Sequence, residues 1–152
     1  MGAVAVNDML GIRGQLSIEI CDAATGRVLR RLTTPNKVTQ SGRNLAIDIL
    51  RGAVSVLSKF AVGTGTAAAA DGDTALVTEK VRDTITSMGQ SANVLTVRYV
   101  LGTTQGNGFS MTEAGVMNDA GTLFARAVHA AISKTSAIVI NYTWTFTLSS
   151  LT

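Results

Sequence analysis

One segment, residues 137–148, constrains the fold of this chain more than any other. It reads Ala-Ile-Val-Ile-Asn-Tyr-Thr-Trp-Thr-Phe-Thr-Leu. Apolar and polar residues alternate there with a period of two, which is typical of a β-strand with one face in a core and the other toward solvent or a partner. The apolar face carries the only Trp and one of the two Tyr. We therefore expect a β-sheet core here rather than a catalytic pocket. The residues predicted to point inward are Ile138, Ile140, Tyr142, Trp144, Phe146 and Leu148.

The composition favours one folded domain. The chain has 152 residues, of which 46% are hydrophobic and only 15% are charged. A chain of this length buries about 70% of the surface that its unfolded form exposes. A surface with so few charged residues is poorly suited to a soluble monomer. This indicates that copies or partners cover part of the surface. We expect an N-terminal arm at residues 1–13 and a single domain at residues 14–152.

We expect neither a membrane-spanning segment nor an intrachain disulfide. No run reaches the roughly 20 apolar residues that are needed to span a bilayer, and the first residues lack the basic region of a signal peptide. Cys21 is the only cysteine. An intrachain disulfide or a thiolate metal cluster is therefore excluded, and we expect a packed structural thiol in a protein that folds in a reducing cytoplasm.

The positive charge is modest and predicts no nucleic-acid partner. The formal net charge is +3. Arg27, Arg30 and Arg31 form a basic patch, but no lysine or arginine run accompanies it and no aromatic residues are interleaved for base stacking. We interpret the patch as a solvated strand face.

Short alternating segments separated by turns predict about seven to eight strands. Residues 22–26 have the composition of a turn between the first two strands. The Ala-, Gly- and Thr-rich residues 64–75 are expected to form a flexible surface loop, and residues 102–108 a glycine-rich loop. Short strands at this spacing predict a mostly all-β fold, an antiparallel β-sandwich. The predicted strands are residues 15–20, 27–33, 59–63, 79–87, 93–101, 110–117, 122–128 and 137–148.

One short helix is predicted at residues 42–51. Ser41 is a suitable N-cap, and Gly52 is suited to end the helix at its C-terminus. Leu45 and Ile49 are four residues apart, as are Ala46 and Leu50, so the helix would have one apolar face.

No set of residues predicts catalysis or cofactor binding. His129 is the only histidine, and no Gly-x-Ser-x-Gly elbow exists that would present a nucleophile to it. Gly63-Thr-Gly65 lacks the lysine of a phosphate-binding loop. We expect His129 to be structural or exposed, the glycines to make a bend, and the protein not to be an enzyme.

The acidic residues predict no metal site. Asp71, Asp73 and Glu79 offer carboxylates for Ca²⁺, but their spacing does not match an EF-hand loop, and a solvated acidic turn is expected. Glu113 lies in an otherwise apolar run. If it is buried, its carboxylate should cap backbone amides or meet an arginine such as Arg126, since an unpaired buried charge is costly.

Nine segments of the chain form an ordered set: residues 14–18, 22–28, 36–46, 60–69, 73–76, 79–82, 113–117, 121–126 and 132–135. In this order they resemble a family of small structural proteins of tailed-bacteriophage virions. The resemblance covers most of the chain beyond residue 13, and residues 113–117 read Glu-Ala-Gly-Val-Met where the family has Glu-Ala-Gly-Leu-Phe. It implies a virion protein that folds in the bacterial host cytoplasm and that belongs among tail-fibre, collar, baseplate or head-surface components.

Three functions are open at this point. The leading hypothesis is a non-enzymatic structural protein of the tail or neck (collar, fibre or adaptor) that forms a homo-oligomer, such as a trimer or a higher ring, and docks on neighbouring virion proteins. The alternative is a capsid decoration (cement) protein on the head surface. The third is a module that binds host glycans, which would need exposed aromatic side chains on its loops.

The predicted docking element is the arm, residues 1–13. It has no periodicity and cannot stabilise itself, so we expect it to be loose in the free subunit and ordered only on a neighbour. The apolar residues that would anchor it on another chain are Val4, Val6, Met9, Leu10 and Ile12.

Overall fold

The computed structural model describes residues 10–150 and confirms the antiparallel β-sandwich. Within the described range the chain forms ten strands, two more than the upper prediction, and one helix. The elements are β1 (Leu10–Asp22), β2 (Val28–Pro35), β3 (Lys37–Val38), α1 (Gln40–Leu50), β4 (Leu57–Gly63), β5 (Glu79–Thr84), β6 (Ser87–Ser91), β7 (Val94–Leu101), β8 (Ser110–Asn118), β9 (Leu123–Ser133) and β10 (Ile138–Ser150). Sheet 1 has the strand order β2-β1-β10-β7-β6, and sheet 2 has the order β3-β9-β8-β4-β5.

The core lies between the two sheets and is centred on the aromatic side chains of β10. Trp144 is fully buried and stacks on Phe146 at a ring distance of 5.5 Å. Phe60 reaches the same cluster from β4, with its ring 5.9 Å from that of Trp144. Ile140 and Tyr142 are buried as well. Leu148 is a correction to the predicted inward face, because it lies beyond the last core layer and is 43% exposed.

Strand β1 is longer than predicted. It begins at Leu10 and pairs with β10 along its whole length, so residues 10–13 of the predicted arm belong to sheet 1. Ile12 packs against the core because it keeps the inward parity of Leu16. Gly14 stands between Ile12 and Leu16 on the inward parity, and this missing apolar side chain hides the alternation in the sequence.

The predicted strand at residues 79–87 is two strands in different sheets. The chain crosses from one sheet to the other at two adjacent residues. The Ile85 N–H donates to the Ser58 carbonyl in β4, at 2.9 Å, and the Thr86 N–H donates to the Arg98 carbonyl in β7, also at 2.9 Å. Strand β5 therefore extends sheet 2 and β6 forms an edge of sheet 1.

Helix α1 begins two residues earlier than predicted, and its N-cap is Thr39 rather than Ser41. The Thr39 hydroxyl accepts a hydrogen bond from the Gly42 N–H at 3.1 Å, which satisfies one of the free amides of the first turn. The Ser41 hydroxyl instead donates to the Leu123 carbonyl in β9 at 2.7 Å. Gly52, at φ 71°, follows the end of the helix as predicted.

Candidate docking surface

An apolar groove of about 920 Å³ opens at the end of the sandwich where β1 begins. Helix α1 forms one wall, and residues of seven strands (β1, β3, β4, β6, β7, β9 and β10) form the other walls. Ten large hydrophobic side chains are exposed in the described part of the chain, and five of them line this groove. Exposed apolar area is thus concentrated at one place, which marks an interaction site more often than scattered residues do. The five are Ile47, Leu50, Val56, Met88 and Leu148.

The polar rim of the groove is mostly basic. Arg13, Lys37, Arg43 and Asp71 line it. The Arg43 guanidinium binds both Asp71 oxygens, at 2.7 and 3.0 Å, and these hydrogen bonds hold the pKa of Asp71 below its usual value. One of the three cations is therefore paired with an acid, and the rim carries a net positive charge.

The predicted anchor residues fall on both sides of the described boundary. Val4, Val6 and Met9 lie outside the described residues. Leu10 is the first residue of β1. Ile12 lines the groove, so β1 starts at the groove itself. Sequence reasoning missed the exposed positions of Ile47, Leu50, Val56 and Met88. A signal was available for Val56 alone, since it lies in a mostly apolar stretch, residues 53–57, between the predicted helix and the next predicted strand.

A buried ion pair confirms the prediction for Glu113. Its side chain and that of Arg126 are fully buried, and the Arg126 Nε donates to Glu113 Oε2 at 2.9 Å. The same carboxylate accepts three backbone N–H groups, from Gly65, Val77 and Thr78, at 2.7–3.0 Å. Burial acts to raise the pKa of Glu113, but these donors outweigh it and the pKa lies below the usual value.

This ion pair holds the connection between β4 and β5 against the outer face of sheet 2. Arg126 also donates to the Ala67 carbonyl at 2.8 Å and to Asp73 at 3.0 Å. Leu76 packs in a small apolar cluster on the same face. Residues 64–75 were predicted to be a flexible surface loop, and most of them are exposed. The contacts of Gly65, Ala67 and Asp73 attach them to sheet 2, which composition does not reveal because the buried partners lie on distant strands.

The glycine motif at 63–65 makes room for the Glu113 carboxylate. A Cβ atom on Gly65 would lie 2.6 Å from Glu113 Oε1, and one on Gly63 would lie 2.7 Å from it. The backbone amide that a phosphate-binding loop would offer to a ligand is thus already bound to a side chain of the protein itself.

The acidic residues considered for Ca²⁺ are each paired with an arginine. Asp71 binds Arg43, Asp73 binds Arg126, and Glu79 binds Arg82 at 2.8 Å. Among residues 10–150, no group of three or more His, Cys, Asp or Glu side chains is arranged to hold a metal ion.

His129 and Cys21 are buried structural residues. His129 lies within β9, and its Nδ1 is 2.8 Å from the Ala130 carbonyl. Burial lowers its pKa, so the imidazole is neutral near pH 7. Cys21 is buried and unpaired with another thiol. Its sulfur accepts a contact from Asn141 at 3.6 Å.

Two buried polar contacts at the opposite end of the sandwich were not predicted. The Lys134 ammonium donates to Asn107 Oδ1 at 2.8 Å and to the Thr135 carbonyl at 2.9 Å, which fastens the glycine-rich loop. Asp83 on β5 accepts the Tyr99 hydroxyl from β7 at 2.5 Å, and so links the two sheets. Burial first, and then this hydrogen bond, raise the pKa of Tyr99.

Comparison with known proteins gives one match. The model of a family described as phage tail-collar fibre protein, N-terminal, matches residues 36–147, close to three quarters of the chain. No curated protein matches, and neither does a solved structure. Among the described residues, no helix is long and apolar enough to cross a membrane.

Proposed function

Because the chain belongs to the phage tail-collar fibre protein family and is a phage tail structural protein, we propose that it acts without catalysis, forms homo-oligomers and docks on neighbouring virion proteins. Docking uses the N-terminal segment, which we define as the residues that precede β1, together with the apolar groove. The tail or neck is the favoured location in the virion, since the family description names the tail collar. The alternative location is the head surface, where the chain would act as a decoration protein.

The observation that carries the proposal is the clustering of exposed apolar side chains where the chain enters the sandwich. Leu50 is 83% exposed and Ile47 is 61% exposed, at the last turns of α1. Side chains of this size are costly to leave in water, and they lie beside the start of β1. The aromatic residues that a glycan module would present, Trp144 and Tyr142, are instead buried.

Incorporation of variants into phage particles tests the proposal. Deletion of residues 2–9 removes three of the five predicted anchors, Val4, Val6 and Met9, without cutting β1. Leu50→Asp places a charge in the groove at an exposed helix end. Both variants should keep the melting temperature of the free protein and should be depleted from purified particles.

Leu29→Asp is the matched control, because Leu29 is exposed on β2 and does not line the groove. It should enter particles as the unaltered protein does. Normal incorporation of both the deletion variant and Leu50→Asp would refute docking through this end of the sandwich.

A further inference from the structure

The four edge strands of the sandwich differ in how they are protected. Edge strands present free backbone N–H and C=O groups, and proteins usually guard them with charges, proline or very short length. Strand β2 carries Arg30, Arg31 and Pro35, and β3 is only two residues long. Strand β5 has the sequence Glu-Lys-Val-Arg-Asp-Thr. Three of the four edges are thus protected.

Strand β6 is the unprotected edge. Its sequence is Ser-Met-Gly-Gln-Ser, and all five residues are exposed. No charged residue occurs between Asp83 and Arg98, so the whole β6–β7 hairpin apart from its end lacks charge. A neutral, accessible edge of this kind is a template for another strand.

The register of the hairpin shows which groups are available. A two-residue turn, Ala92-Asn93, joins Ser91 to its partner Val94, and Ala92 takes a φ of 49°. Such a turn closes on a hydrogen-bonded pair, and hydrogen-bonded and open pairs alternate along an antiparallel ladder. Met88 and Gln90 therefore direct their backbone N–H and C=O groups away from β7.

We infer that β6 pairs antiparallel with β6 of a second copy of this chain, joining the two five-stranded sheets across a two-fold axis. A second copy is the favoured partner because every other edge among the described residues is protected, so an edge-to-edge contact has β6 available on both sides. A neutral strand also meets no charge repulsion from its own copy.

Pairing about Gly89 fits the local geometry. Met88 would face Gln90 of the partner, which matches the free groups on both strands. Gly89 would then lie opposite its own copy in an open pair, with Cα atoms about 4.5 Å apart. Nothing lies within 4 Å of a Cβ built on Gly89, so a side chain is accommodated there.

The contact is continuous with the groove. Met88 belongs to β6 and also lines the groove, so a second copy seated on this edge would cover apolar surface as well as backbone groups. The inference deepens the proposed function, since it assigns the homo-oligomer contact to a particular strand.

Sedimentation velocity over a range of concentrations tests this contact. The unaltered protein should dimerise. Gln90→Pro removes an outward N–H on each of the two copies and leaves the bonds to β7 in place, so it should weaken the dimer at least about tenfold. Gln90→Ala keeps the N–H and is the matched control, which should dimerise normally.

Disulfide trapping tests the register. In a Cys21→Ser background, Gly89→Cys should form a covalent dimer under mild oxidation, because facing open pairs are within disulfide reach. Thr33→Cys, on the exposed edge strand β2, is the control and should stay monomeric.

A protein that stays monomeric at every concentration overturns the inference, as does an oligomer that Gln90→Pro leaves unchanged. If deletion of residues 2–9 abolishes the oligomer and Gln90→Pro has no effect, the contact belongs to the N-terminal segment, and this result also overturns the inference. None of these results affects the particle-incorporation test of docking, so the docking proposal and the β6 contact fail separately.

Discussion

At the scale of single residues, burial of Trp144 is the main support of the core. Its ring contacts Phe60 and Phe146, and no part of it is exposed to solvent. Such aromatic contacts stabilise beyond the area that they bury. A polar or small side chain at this position would open a cavity between the two sheets.

Trp144→Ala should lower the free energy of unfolding by about 3–5 kcal/mol, the usual cost of removing a large buried aromatic side chain. That is a large share of the stability of a small domain. Thermal or denaturant unfolding measures it, and Trp144→Phe is the control, with a smaller loss. An unchanged melt, or strong iodide quenching of native Trp144 fluorescence, would show that this face is exposed.

Single residues differ in how far the sequence predicted their role. The Glu113–Arg126 contact was predictable, since an acid within an apolar run needs a partner. Lys134 was not, because a lysine after a strand normally lies in solvent, and only the folded loop brings Asn107 to within 2.8 Å of it.

At the scale of elements, the β4–β5 connection is held by contacts to sheet 2 rather than by its own sequence. One carboxylate binds three of its amides, and one guanidinium binds a carbonyl and a carboxylate. Removing one partner of a buried ion pair leaves the other charge without compensation.

Arg126→Met should therefore destabilise the protein by about 3–5 kcal/mol and speed hydrogen exchange of the amides of Gly65, Val77 and Thr78. Arg43→Met breaks the exposed pair with Asp71 and should cost less than about 1 kcal/mol. Equal effects of the two variants would contradict the anchoring role.

The pH dependence of unfolding gives a second measurement of the same contact. The folded pKa of Glu113 is lowered, so its contribution to stability is present above the unfolded pKa, about 4.3, and is lost as the pH falls below that value. Glu113→Gln should flatten this acid decline. A decline as steep as that of the unaltered protein would exclude Glu113 as its source.

Elements were predictable where periodicity was strong. β7 and β10 alternate, β8 is mostly apolar, and all three occur within two residues of their predicted bounds. β6 has no apolar period, and it becomes a strand only because β7 offers it an edge to pair with. The start of β1 was missed for a related reason, since β10 imposes the pairing there.

At the scale of the whole molecule, the two ends of the sandwich differ. One end holds the groove, the start of β1 and the turn between β6 and β7. The opposite end holds the turn after β1, the loop fastened by Lys134 and the turn into β10. This polarity suits a component that is attached at one end within a larger particle. The sequence predicted the layers of the sandwich, but not the groove, because its walls come from eight separate elements.

The central claim is that this chain is a structural part of the phage tail, and imaging of particles tests it most directly. Class-averaged electron micrographs of particles that carry the protein should be compared with those of particles that lack it. We predict that the missing density lies at the tail or neck and that the head surface is unchanged. Density missing from symmetric positions on the head, or no difference between the two sets of particles, would contradict the claim.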